Sequence, residues 1–170
     1  MTLRHLDAVT ALERAVYPRP WTRATFRAEL DKTEDRAYRV ARRGRRVVGY
    51  GGVLVGAGEA HILTVAVHPT ERRGGVATRL VVELLAAAVE LGAVDATLEV
   101  RESNAGAEAL YRRFGFDSAG VRPGYYEDDG EGARIMWLHD LAAPATAARI
   151  LAEADRVGHP RPRALAADAT

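Results

Sequence analysis

Apolar residues recur along this chain with two periods. Between residues 7 and 16 (DAVTALERAV), Val9, Leu12, Ala15 and Val16 fall three and four apart, which lays an apolar stripe along a helix. Asp7 stands where its N-cap is expected. A second helix is predicted from Thr22, with Phe26 and Leu30 on one face. The intervening YPRPW carries two prolines that force an extended link ending at Trp21. AYRVARR, RRVVGYGGVLVGAG and HILTVAV read as strands, the first two joined by a hairpin at Gly44 and the third ending at His68 and Pro69. Gly49, Gly51 and Gly52 predict a bulge or close packing within the second.

Helical spacing then returns with Val76, Leu80, Leu84, Ala88 and Leu91, closed by Gly92. ATLEVRE follows as a strand with Leu98 and Val100 on one face and Thr97, Glu99 and Arg101 on the other. Ser103 or Asn104 caps the next helix, NAGAEALYRRF, which stops at Gly115. FDSAGVR and ARIMWL read as two last strands around a loop holding PGYYEDDGEG. Strands come first as an antiparallel set and then alternate with helices, so the expected class is a mixed α/β (α+β) sheet covered by helices.

After Leu141 the chain turns to alanine, arginine and proline. Residues 1–141 are therefore expected to form one domain and 142–170 an extension. Within the extension, a short helix over 144–157 has Pro144 in its first turn and Gly158 as terminator. Beyond His159 the segment offers no core material, and disorder is expected.

Composition narrows the class further. With 170 residues, 48% of them apolar, the chain can bury one substantial core but not two. Lysine and arginine number 24 against 23 aspartates and glutamates, so the broad positive field of a nucleic-acid binder is not expected. The basic RRGRR at 42–46 lies between two strands and reads as a solvated turn. There is no cysteine, which removes disulfides, thiolate metal sites and a cysteine acyl-enzyme. The N-terminus has charges at Arg4 and Asp7 and no continuous apolar run, and no membrane-spanning stretch follows. A soluble cytoplasmic protein is expected.

Candidate chemistry begins at VHPTERRGGVATRLVVELL, residues 67–85, where a strand runs through an Arg-Gly-Gly turn into a helix. The first amides of a helix are unpaired and carry partial positive charge, so a glycine-rich turn there can cradle phosphates. Arg72, Arg73, Gly74, Gly75 and Ala77 can equally be a tight strand-to-helix connection. No Gly-Lys-Ser/Thr follows and the three-glycine dinucleotide fingerprint is missing, so a phosphate-bearing ligand other than a nucleoside triphosphate is favoured.

Arg72-x-x-Gly75-x-Ala77 resembles the Q/R-x-x-G-x-G/A signature of the GCN5-related N-acetyltransferases (GNAT), which bind acetyl-coenzyme A. LEVRESNAGAEALYRRFGF (98–116), RPGYY, PWTRATF and the Glu-Gly-Ala-Arg-Ile-Met run are similar to the ribosomal-protein-alanine N-acetyltransferase (RimI) branch, over residues 5–140. The resemblance implies a central, mostly antiparallel mixed sheet splayed between its fourth and fifth strands, with helices on both faces. The strand that splays is here His61 to Val67. It further implies that Val65 and Val67 offer main-chain groups to the pantetheine arm, that Arg72, Arg73, Gly74, Gly75, Val76 and Ala77 hold the pyrophosphate, and that Asn104 bonds the pantetheine. Its acceptor would be a protein N-terminus or peptide, with ribosomal proteins among the candidates.

An amine attacks a thioester only when neutral, and the departing thiolate is helped by a proton donor. The resemblance gives Glu99 the role of general base, directly or through a water, and Tyr111 that of general acid. Read alone, Glu99 is an ordinary strand carboxylate, Tyr111 a core aromatic and Asn104 an N-cap. At pH 7.5 roughly a quarter of an N-terminal amine is neutral, against about 0.1% of lysine, which favours an α-amine acceptor. Tyr125 and Tyr126 are expected either to line a peptide groove or to pack their loop on the sheet. Gly132 stands where the branch has an acidic residue and Arg134 where it has an apolar one. His61 and His68 are given no catalytic role, and no ligand spacing points to a metal. Two other functions compete: a GNAT acting on a small-molecule amine or lysine, and a non-catalytic acetyl-coenzyme A-binding partner that docks through its tail.

Overall fold

The computed structural model describes residues 1–166. Helices α1 (Leu6–Val16) and α2 (Arg23–Leu30) precede strands β1 (Arg36–Arg43), β2 (Arg46–Gly56) and β3 (Glu59–Val67). They are followed by α3 (Val76–Glu90), β4 (Asp95–Arg101), α4 (Ala105–Phe114), β5 (Asp117–Arg122) and β6 (Ala133–Leu138). Helices α5 (Pro144–Arg156) and α6 (Arg163–Ala166) close the chain. The sheet order is β1-β2-β3-β4-β6-β5, antiparallel throughout except for β3 and β4. That parallel pair holds only at Glu59–Asp95, Ala60–Ala96 and His61–Thr97, and beyond it the two strands part. The opening lies between the third and fourth strands of the chain, not the fourth and fifth, because residues 1–35 are helices and links and contribute no strand.

Two layers of helix sandwich the sheet. Leu6, Val9, Leu12 and Phe26 of α1 and α2 pack on Tyr50 and Ala66. The larger core joins α3, α4 and α5 to Val53, Ile62, Leu98, Val100 and Met136. Gly49 and Gly51 let α3 approach β2: a Cβ at Gly49 would stand 3.0 Å from Val76 and one at Gly51 2.8 Å from Leu84. The β2–β3 register passes from Val53–Ile62 to Gly52–Thr64, so Leu63 is an extra, bulged residue. The bulge sits where β3 leaves β4.

Two local expectations change. Asp7 lies inside the first turn of α1 and pairs with Arg23 at 2.8 Å, while a short 3-10 turn, Leu3–His5, runs directly into the helix and leaves His5 in the cap position. Of the segment beyond His159, expected to be disordered, residues 160–166 are described and pack on the domain: Arg161 pairs with Asp155 at 2.6 Å, and Leu165 of α6 is buried in the main core. The remainder of that segment, 167–170, lies outside the described residues. Among the described residues, no helix is long and apolar enough to cross a membrane.

Candidate active site

Thr64 and Ala66 turn their carbonyls to β2, since these oxygens lie near the Cβ positions of Gly51 and Gly49. Alternation along the strand therefore aims the amides and carbonyls of Val65 and Val67 into the opening, where β4 no longer pairs with them. The Val65 carbonyl accepts a hydrogen bond from the Tyr17 hydroxyl at 3.2 Å. An unpaired strand edge of this kind suits an extended amide-containing chain such as a pantetheine arm.

The turn at the end of β3 has the second property required. Arg73 has φ of 62° and Gly75, the N-cap of α3, has φ of 78°. Among the described residues, the amides from Arg73 to Thr78 donate to no carbonyl or side chain. They are left free at the start of a 15-residue helix, which is the arrangement that binds phosphate. Arg72 lies close enough to Tyr17 for its charge to act on the phenol.

Six of the residues singled out from sequence line one cavity of about 600 Å³: Val65, Glu99, Asn104, Tyr111, Tyr125 and Tyr126. Val67 continues the same strand edge outward, and Arg72, Arg73, Gly74, Gly75, Val76 and Ala77 form the turn beyond it, outside the cavity wall. Glu99 projects from the polar face of β4, where Leu98 and Val100 point into the core. Its Oε2 meets His61 Nε2 at 2.6 Å, and Arg122 stands 3.7 Å from its Oε1. Tyr111 is buried on α4 with its ring edge-on to Phe116 at 5.6 Å. Burial holds its phenol well above the ordinary value, so it keeps its proton at neutral pH. Asn104 caps α4, its Oδ1 accepting from Ala107 N at 3.1 Å, which leaves its amide NH₂ for the cavity.

The far wall is a clamp. Arg101 stacks 3.9 Å over the Tyr126 ring and bonds Asp128, Asp129 and Glu131 at 2.7–2.8 Å. Tyr126 in turn meets Tyr125 edge-on at 5.1 Å. Burial pushes Tyr126 up to about 12, so it remains a neutral donor. Arg19, from the link between α1 and α2, pairs with Glu127 at 2.9 Å across the mouth. The two branch departures have structural counterparts: a Cβ at Gly132 would run into the Glu102 carboxylate, and Arg134 lies 3.2 Å from Glu108.

Several side chains escaped the sequence reading. His61, given no role, is the partner of Glu99. Glu13, 3% exposed, accepts from Trp21 N at 3.0 Å and from the Tyr50 hydroxyl, and burial raises its pKa. Its place among Val9, Leu12 and Val16 on the apolar side of α1 was the available signal. Among the described residues, no group of three or more His, Asp or Glu side chains forms a metal site.

A sequence profile of the Acetyltransferase (GNAT) family matches residues 6–116. The chain belongs to this family. It is 33% identical over 138 residues to a putative ribosomal protein bS18-alanine N-acetyltransferase of Bacillus subtilis (strain 168), covering 81% of this chain and 91% of that one. The crystal structure of the ribosomal-protein-alanine N-acetyltransferase of Escherichia coli superposes with a TM-score of 0.73 at 30% identity, over 82% of this chain and 90% of that one. Ard1 from Thermoplasma volcanium gives 0.74 at 26% identity, over 82% and 93%. The enzyme is therefore an acyltransferase of the GNAT type, with a mixed sheet covered by helices.

Proposed function

We propose that this acetyltransferase moves an acetyl group from acetyl-coenzyme A to the α-amine of a protein N-terminus, by direct attack in a ternary complex. The observation that carries the reading is the cavity in which Glu99, Tyr111 and the strand edge at Val65 meet, with the unbonded amides of the turn following at the end of the same strand. The names of the relatives support ribosomal proteins as the acceptor class, and a cytoplasmic setting agrees with that substrate.

The thioester supplies the acetyl group and a thiolate leaving group. The Val65 and Val67 edge holds the pantetheine arm, Asn104 donates to it, and residues 72–77 hold the pyrophosphate. Glu99 takes a proton from the attacking ammonium, directly or through a water, so that the neutral amine forms the new C–N bond. With Glu99 ionised, His61 donates Nε2–H to its Oε2 and fixes the carboxylate in the cavity. As the C–S bond breaks, the proton on the Tyr111 oxygen passes to the sulfur, and the second proton leaves the new amide nitrogen to restore the phenol. The clamped Tyr125–Tyr126 wall receives the first residues of the acceptor.

Thiol release from acetyl-coenzyme A tests this reading with peptides beginning in Ala or Ser, each beside a copy whose α-amine is blocked. Release with the free peptide and none with the blocked copy is expected. Release with small amines alone would assign the enzyme to metabolites instead.

A further inference from the structure

The profile match ends at residue 116, yet the C-terminal helix reaches back to the phosphate turn. A Cβ at Gly75 would come within 2.9 Å of Val157 Cγ1, so the left-handed glycine of the turn lies flat against the residue that ends α5. Arg79, in the first turn of α3, donates to the Val157 carbonyl at 2.5 Å. Between them Thr78 Oγ1, itself buried, accepts from Arg113 of α4 at 3.3 Å and from Arg156 of α5 at 3.5 Å. Both guanidiniums also bond Glu153, at 3.0 and 2.9 Å. Burial opposes ionisation there, but the bonds from Arg156 and Arg113 hold Glu153 below the usual carboxylate range, so the network stays charged at neutral pH.

The contacts that this network makes with α3 and its turn fall on Gly75, Thr78 and Arg79, at and just beyond the amides that would face the cofactor's phosphates. A glycine-rich turn that is free in the absence of ligand loses conformational entropy on binding, and that loss weakens affinity. A turn already seated against a packed helix loses less. We infer that the end of α5 is a positioning element of the cofactor site, in which Val157 seats Gly75 and thereby pre-forms the phosphate-binding turn. The inference rests on the acetyl-coenzyme A reading above. It makes residues 142–157 a working part of the enzyme instead of an appendage.

Val157 is half-buried and borders solvent, so its truncation leaves the core residues Ile150, Leu151 and Ala154 in place. In Val157→Gly the KM for acetyl-coenzyme A and the calorimetric Kd for coenzyme A should both rise about fivefold, with kcat and the peptide KM unchanged. Val157→Ile, which keeps a γ-methyl against Gly75, should restore the wild-type KM. Thermal melting confirms that each variant is folded at the assay temperature, and Val157→Ala replaces the glycine variant if that one is not. Unchanged affinity in a folded variant, or a loss spread evenly over kcat and both substrates, would overturn the brace while leaving the cofactor reading intact. Wild-type protein that binds no coenzyme A would overturn both.

Discussion

At the end proposed for the cofactor, the groups offered to a ligand are main-chain amides and carbonyls of residues 65–78, set by two left-handed residues and a strand edge that has lost its neighbour. At the acceptor end they are side chains on two loops, residues 17–22 and 123–131, pinned by Arg101, by Arg19–Glu127 and by Glu13. The backbone site takes its local shape from where glycine stands, so it reads as a motif, while the helix that seats it lies far along the chain. The side-chain site depends on which residues the loops carry, so the proposed function puts selectivity for the acceptor there. Glu99 and Tyr111 lie between the two and belong to neither.

That division predicts separable failures. Glu99→Gln should lower kcat by about 10²–10⁴, the range of a lost general base, with the KM for acetyl-coenzyme A little changed in steady-state kinetics. Tyr111→Phe should cost somewhat less, about 10², because it removes one donated proton and keeps the ring against Phe116. A drop in cofactor affinity matching the drop in kcat, in either variant, would merge the catalytic pair with the cofactor end.

Gly75→Ala should weaken coenzyme A binding by about tenfold in calorimetry. A Cβ is disfavoured at that positive φ by roughly 1–2 kcal/mol, and it also meets Val157. Tyr126→Ala should raise the peptide KM by about fivefold and leave the acetyl-coenzyme A KM alone, since it removes the ring beneath Arg101. Equal effects of these two variants on both substrates would show that the ends are not independent.

The smallest expected effect concerns Glu13. Its pKa is raised in the folded state, so folding binds the proton more tightly than the unfolded chain does. The associated stability is complete below the unfolded pKa and is lost as pH rises through the folded value. Glu13→Gln keeps the bond from Trp21 without the charge. Its melting temperature relative to wild type should therefore increase by about 2–4 °C between acidic and mildly alkaline buffer. A constant difference across pH would mean that Glu13 titrates alike in both states.

Most of the fold, including the glycine turn that opens α3, was legible in the sequence because the signals there are local. Thr22, Asn104 and Gly115 sit at the helix ends their chemistry favours, and Gly44 turns the first hairpin. Sequence reading missed what depends on distant pairing. His61 and Glu99 meet only because β3 and β4 run parallel for three residues before parting, a register that neither segment specifies. Glu13 finds its partners 8 and 37 residues away. Leu165 is a lone apolar residue in an alanine-rich tail, and its burial depends on the surface that α3 and α5 present together. Tyr125 and Tyr126 were placed correctly in their loop, but Arg101, which clamps that loop, gave no sign of the task beyond its place on the polar face of β4.

The most direct test uses a peptide with a free N-terminal alanine and one internal lysine, incubated with enzyme and acetyl-coenzyme A and mapped by tandem mass spectrometry. The account predicts one added acetyl group, on the alanine nitrogen, with none in Glu99→Gln over the same time. Acetylation confined to the lysine, or unchanged in Glu99→Gln, would contradict it.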